Sequence, residues 1–269
     1  MGAGIAQLAA QSGFETVLYD LDGAAALAAG KRIEGQLWGL VEKKRLTSAQ
    51  AEAALGRLQL TGNIGDCRAD VVIEAIAEQM EAKLSLFSRI AALNEAGTVL
   101  ATNTSSLSVT NIAENTLHPE RVMGMHFFNP APLMKLIELV STSYTSPETI
   151  SVLHSLARAF GKTAVLCRDA PGFIVNHVAR PFYLEALRLL ETGLTDIETI
   201  DSLLEASGFR MGPFRLMDLI GQDINYAVSC SVYEGLGKPE RLKPSPLQQL
   251  RVARGELGKK SGRGFYSYP

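Results

Sequence analysis

The run DVVIEAIA at residues 70–77 is almost unbroken in apolar side chains. A half-exposed strand alternates; a continuous run of this kind suits a parallel strand covered by helices on both faces. It has counterparts along the chain. Residues 16–21 read as a strand following a small-residue helix made from Gly2, Gly4, Ile5, Ala6, Leu8 and Ala9. Residues 83–93 read as a helix, 98–101 as a strand, 107–115 as a helix, and 121–128 return to the sheet. This alternation predicts an α/β protein with a doubly wound parallel sheet. Ligands of such sheets bind at the carboxyl edge of the strands. Glu74, Glu78 and the polar run Asn103, Thr104, Ser105, Ser106 all fall on that edge.

The segment MGMHFFNPAPLMKLIELV at residues 123–140 holds the clearest candidate for chemistry. Two strand-like apolar runs flank Asn129–Pro132, whose prolines remove backbone donors and fix φ, so neither run continues through it. A bend there returns the second run beside the first and brings His126 towards Glu138. A histidine held by a carboxylate in apolar surroundings is a tuned general base. The plainer reading is a core histidine capped by a glutamate.

The start of the chain, a glycine-rich helix followed by a strand that ends at Asp20, has the order of the later part of a dinucleotide-binding βαβ unit. Asp20 stands where a carboxylate meets the ribose hydroxyls and repels a 2′-phosphate. The preceding strand and leading glycines of that fingerprint are missing, so the expected sheet is Rossmann-type with its first strand absent, through a shortened N-terminus. Residues 23–58 read as helical and carry Lys31, Arg32, Lys43, Lys44 and Arg45, which read as a solvated face.

A boundary near Pro171-Gly172 separates a domain over 1–168 from a smaller all-helical domain over 169–269, because strand patterns stop there. Asn176 stands at the entry to the first helix of that second domain, and Arg180 reads as a surface arginine, with contact to a ligand's distal carboxylate as the other reading. Lys259 and Lys260, flanked by glycines, read as a mobile loop, with Phe265, Tyr266 and Tyr268 packing back on the helices. A helical domain of this size needs a partner surface, which predicts a homodimer. A net charge of −2 gives no general attraction for nucleic acid or anionic membrane. No run approaches the roughly 20 apolar residues that span a bilayer. The three cysteines have no metal-ligand spacing and suit a cytoplasmic protein; no metal is expected.

Taken together, MGAGIA, VIEA with downstream Glu78 and Lys83, NTSSL, HFFNPAPLMKLIELV, PGFIVN, MGPF, DLIGQD and GKKSGRGFY resemble the L-3-hydroxyacyl-CoA dehydrogenase family, in the family's order and over essentially the whole chain. The set also resembles the branch acting in aromatic-ring degradation, whose substrate is of the 3-hydroxyadipyl-CoA type. The resemblance implies NAD as cofactor and an acyl-CoA substrate, with His126 as base towards the 3-hydroxyl and Glu138 supporting its ring. It further implies that Ser105 and Asn176 bond the reacting oxygen or the thioester region. Gly2, Asp20, Glu78, Lys83, Asn129 and Lys260 would line the cofactor site, and Gln36 and Lys43 would lie near the CoA moiety. The alternative is a non-catalytic acyl-CoA-binding or assembly module, inactive through loss of the N-terminal cofactor loop.

Overall fold

A computed structural model describes all 269 residues. Its contacts divide the chain into two units, Met1–Asp169 and Ala170–Pro269. The first unit runs α1 (Gly2–Gln11), β1 (Thr16–Tyr19), α2 (Gly23–Glu42), α3 (Ser48–Gly56), β2 (Leu58–Thr61), β3 (Val71–Glu74), α4 (Met80–Leu93), β4 (Val99–Thr102), α5 (Val109–Glu114), β5 (Val122–Phe127), β6 (Leu136–Ser141), α6 (Pro147–Ala159) and β7 (Thr163–Arg168).

Strands β3 to β7 form one sheet in chain order, parallel except at β5–β6, and β1 and β2 form a separate parallel pair. The apolar runs that predicted covered strands are the core: Val99, Ala101, Met123, Met125, Ile137 and Leu139 are buried among Ile5 and Leu8 of α1 and Leu153 and Ala157 of α6. A cavity of about 750 Å³ is lined by Val17, Leu18 and Tyr19 of β1 and by Val71, Val72 and Ile73 of β3. The break in strand pairing therefore falls between β1 and β3. Gly124 of β5 packs so tightly that a Cβ there would meet Val140 at 2.8 Å and Val109 of α5 at 3.1 Å. That closeness sets the strand carrying His126 hard against β6.

Several bounds differ from the sequence reading. The helical stretch over 23–58 ends its first helix at Lys43, Thr47 caps α3 with a reciprocal box to Gln50 as its residue type suits, and Leu58 opens β2 instead of closing a helix. The apolar run at 70–77 is a strand only as far as Glu74. α5 is capped by Ser108 rather than by the preceding polar run, whose donors are engaged elsewhere.

The second unit is helical: α7 (Val175–Glu191), α8 (Ile197–Ala206), α9 (Pro213–Ile220), α10 (Gln222–Gly235) and α11 (Pro246–Ala253). Its core gathers Tyr183, Leu184, Leu187, Phe214, Met217 and Val232, with Phe265 and Tyr266 of the tail packed on it. Two buried carboxylates anchor that tail. Asp218 accepts from the Phe265 and Tyr266 N–H groups and from the Tyr268 hydroxyl, and Asp201 accepts from the Tyr266 hydroxyl. Lys259 and Lys260 fall in a short 3₁₀ turn, not the mobile loop expected, because Lys260 pairs with Asp223 at 2.6 Å. No helix in the chain is long and apolar enough to cross a membrane.

Burial and the Asp218 carboxylate push the Tyr268 phenol up to about 12. A phenol raised in the folded state stabilises it fully below the unfolded value of about 10 and loses that contribution as pH climbs through the folded value. Urea unfolding across this alkaline range should show stability falling with pH, and Tyr268→Phe should flatten the fall. An unchanged slope in the variant would remove Tyr268 from the tail anchor.

Candidate active site

The bend at Asn129–Pro132 does what the proline pattern predicts, and it contains a cis Asn129–Pro130 peptide. β6 runs back antiparallel along β5, with His126 in register with Glu138. Directly opposed residues of an antiparallel pair face the same side of the sheet. The His126 Nδ1 accordingly lies 2.8 Å from the Glu138 Oε2, with the two residues 6% and 1% exposed. The imidazole also tilts against Phe128, ring centroids 4.7 Å apart. Across β6, Cys167 of β7 is pushed up to about 11 by burial and by the Glu138 and Asp169 carboxylates. Its thiol stays protonated at neutral pH, so thiolate chemistry is not on offer beside the pair.

At the carboxyl ends of β3 and β4 a second polar cluster forms. Lys83 of α4 is 1% exposed, and its Nζ lies 2.6 Å from Glu74 and 3.3 Å from Glu78. Glu74 is completed by the Thr102 hydroxyl at 2.7 Å and the Ile76 N–H at 2.7 Å. Glu78 accepts from the Thr104 hydroxyl at 2.6 Å and from the N–H groups of Ser105 at 2.9 Å and Ser106 at 3.2 Å. Burial pushes Glu78 up, but these donors and Lys83 outweigh it and hold its carboxyl below the usual range. The Asn103 N–H bonds the Glu74 carbonyl, and the Asn103 Oδ1 accepts from the Phe127 N–H, next to His126. One run of polar contacts thus links Lys83 to the strand that carries the histidine. The sequence reading places Glu74 and Thr104 on the ligand edge without giving them a role, and it does not single out Thr102. Their signal was a carboxylate and hydroxyls at strand ends, which an ordinary cap also shows.

The first turn of α1 abuts the same edge. A Cβ built on Gly2 lies 3.8 Å from Ala75, just after β3, and one on Gly4 lies 3.3 Å from Pro132, after β5. Met1 supplies no side-chain cap to this helix, whose first turn has no acidic residue, so its N–H groups suit an anion. Asp20 follows β1 and is exposed; the residue capping α2 is its neighbour Asp22, whose N–H bonds the Asp20 carboxylate. An uncapped glycine-led helix start, an exposed acid after the adjacent strand and a polar strand edge fit a dinucleotide.

Other predicted residues lie further out. Asn129 is exposed just past β5, and Gln36 and Lys43 are exposed on and just after α2. Asn176 and Lys260 belong to the second unit, Asn176 in the first turn of α7. Arg180 is buried at 2% exposure, not on the surface as its sequence context indicated.

A Rossmann-type sheet with a buried histidine–carboxylate pair at its carboxyl edge, followed by a helical unit, fits the class of nicotinamide-dependent dehydrogenases. The model of the 3-hydroxyacyl-CoA dehydrogenase NAD-binding domain matches residues 1–170, and that of the C-terminal domain of the same enzymes matches 172–268. The chain belongs to the 3-hydroxyacyl-CoA dehydrogenase family. It is 47% identical over its whole length to a 3-hydroxyadipyl-CoA dehydrogenase of Escherichia coli, spanning 57% of that protein. It is 42% identical to a probable 3-hydroxybutyryl-CoA dehydrogenase of Bacillus subtilis, covering 100% of this chain and 94% of that one. The crystal structure of an (S)-3-hydroxybutyryl-CoA dehydrogenase from Ralstonia eutropha superposes with a TM-score of 0.96 at 35% identity, covering 100% of this chain and 95% of the other. These relatives are dehydrogenases, which disfavours the non-catalytic reading.

Removing one member of a buried ion pair costs about 3–5 kcal/mol. Lys83→Met should therefore lower the unfolding free energy by about 3 kcal/mol in denaturant titration, since Glu74 is left buried without its cation. Loss below 1 kcal/mol would show that Thr102 and the Ile76 N–H suffice for Glu74.

Proposed function

We propose that this chain oxidises the C3 hydroxyl of a short 3-hydroxyacyl-CoA, of the 3-hydroxybutyryl or 3-hydroxyadipyl type, and reduces the corresponding ketone in reverse. The observation that carries the reading is His126 in register with Glu138 at 2.8 Å, both out of water. Nδ1 is committed to Glu138, so proton exchange with substrate runs through Nε2. Glu138 holds the ring tautomer and stabilises imidazolium as it forms, and in reverse the imidazolium returns its proton to the alkoxide. Bound NAD supplies the hydride acceptor. The α1 start at Gly2 takes its pyrophosphate, Asp20 its adenosine ribose, and Glu78, Lys83, Asn129 and Lys260 line the rest of its site. Ser105 and Asn176 bond the reacting oxygen or the thioester region, while Gln36 and Lys43 meet the CoA moiety. The chain works as a cytoplasmic homodimer in this reading, its helical unit burying its apolar faces against a second copy.

Purified protein should reduce acetoacetyl-CoA with NADH, and His126→Gln should cut the rate by about 10²–10⁴-fold with its circular dichroism unchanged. Ordinary turnover by that variant would take the imidazole out of the reaction. The carboxylate of Asp20 should also set cofactor choice. Asp20→Ala should narrow the preference for NADH over NADPH by at least about tenfold in kcat/KM, on the scale of a single charge contact at a site. A wild-type preference for NADPH would contradict the role given to Asp20.

A further inference from the structure

Lys162 lies in the turn between α6 and β7, in the first unit. Gly161 adopts φ +67° and stops α6, and the Lys162 N–H returns to the Ala157 carbonyl at 3.0 Å. That left-handed helix end suits glycine, which has no Cβ to strain it. From there the lysine reaches the bend that joins β5 to β6. Its Nζ donates to the carbonyls of Ala131 at 2.8 Å, Pro132 at 3.1 Å and Met134 at 2.7 Å. An ammonium has three donors, and this one turn of chain takes all three. Within the bend, the Leu133 and Met134 N–H groups both go to the Pro130 carbonyl. The lysine gathers the three carbonyls that those bonds leave over.

A lysine near the surface ordinarily keeps its head in water, because fixing its long stem costs rotamer freedom. Lys162 is half-buried instead, and burial pushes its ammonium down with no carboxylate to oppose the shift. The bend it holds has a particular place on the sheet. It starts at Asn129, three residues after His126 on the same strand. On another side it meets the first turn of α1, where a Cβ on Gly4 would lie 3.3 Å from Pro132 and 3.5 Å from Ala131. In the dehydrogenase reading Asp20 takes the adenosine ribose and the α1 start takes the pyrophosphate. The nicotinamide end then belongs beside His126, where hydride and proton leave one alcohol, and that is where the bend lies.

We propose that Lys162 is a positioning residue for the nicotinamide end of the cofactor: by tying three carbonyls to one nitrogen it presets the bend that carries Asn129. The proposal rests on the dehydrogenase reading. A loop that must be ordered when its ligand arrives costs affinity, and one ordered beforehand does not. Lys162 itself touches neither cofactor nor substrate in this account; it acts through the backbone of the bend. Methionine keeps most of the length of the stem and loses every donor. Arginine keeps the charge, but its planar fork spreads its donors over three nitrogens and cannot gather the same three carbonyls at one point.

The test is calorimetry of NADH and of ADP-ribose, which keeps the adenosine, the pyrophosphate and the second ribose but lacks the nicotinamide, on the whole chain and on Lys162→Met. The variant should bind NADH about tenfold more weakly, the scale of hydrogen bonds to a charged group, and ADP-ribose as before. A lysine that only stabilised the fold would move both ligands together or neither. An equal loss for the two ligands, or no loss for either, therefore overturns the proposal and leaves the dehydrogenase reading standing. Should Lys162→Met fail to fold, Lys162→Arg decides by the same comparison: a loss confined to NADH supports the proposal, and an unaltered ratio overturns it. An unaltered chain that binds neither ligand overturns the dehydrogenase reading itself, and the proposal with it.

Discussion

The register between β5 and β6 is the constraint from which the rest follows. Within the five-stranded sheet this is the one antiparallel pairing, and it places His126 directly across from Glu138. A slip by one residue would turn one of the two side chains to the other face of the sheet and part them. The register is held by burial on both faces, with Met125, Phe127, Ile137 and Leu139 on one and Val140 beside His126 and Glu138 on the other. Gly124 adds a steric check, since a side chain there would clash with Val140 and Val109. The chemistry of the imidazole is thus a by-product of strand packing.

The cluster at the ends of β3 and β4 extends that logic. Lys83 is almost fully buried, a condition that a lysine tolerates only with carboxylates at hand. Glu74 and Glu78 supply them, and each is satisfied by further donors from the β4 end. The backbone of Asn103 ties Glu74 to β4, and its side chain ties β4 to Phe127. Two strand ends and one helix start are therefore held in fixed relation beside the histidine. The result is an edge whose polar groups are fixed by one another.

Much of this was legible in the chain before any coordinates. The parallel strands showed as unbroken apolar runs, and the hairpin showed as two such runs around two prolines. What was not legible had a common cause: the deciding partner lay far off in sequence. β2 at Leu58–Thr61 is four residues with polar neighbours, and only its pairing with β1 identifies it. Arg180 looked like a surface residue because its acceptors, Asn225 and Ser229, lie on α10. Lys260 looked mobile because Asp223 is likewise remote. Glu78 and Lys83 stood out through resemblance to relatives, whereas Glu74 showed only as a break in an apolar run at the sheet edge, with nothing to name Lys83 as its partner.

The central claim, that Glu138 dictates the protonation geometry of the His126 ring, is open to direct measurement by ¹⁵N nuclear magnetic resonance of histidine-labelled protein. With the carboxylate at Nδ1, the neutral ring should carry its proton on Nδ1 and present Nε2 as the basic nitrogen, and Glu138→Gln should disturb that balance. A neutral ring protonated on Nε2 in the unaltered protein, or a tautomer indifferent to residue 138, would contradict the account.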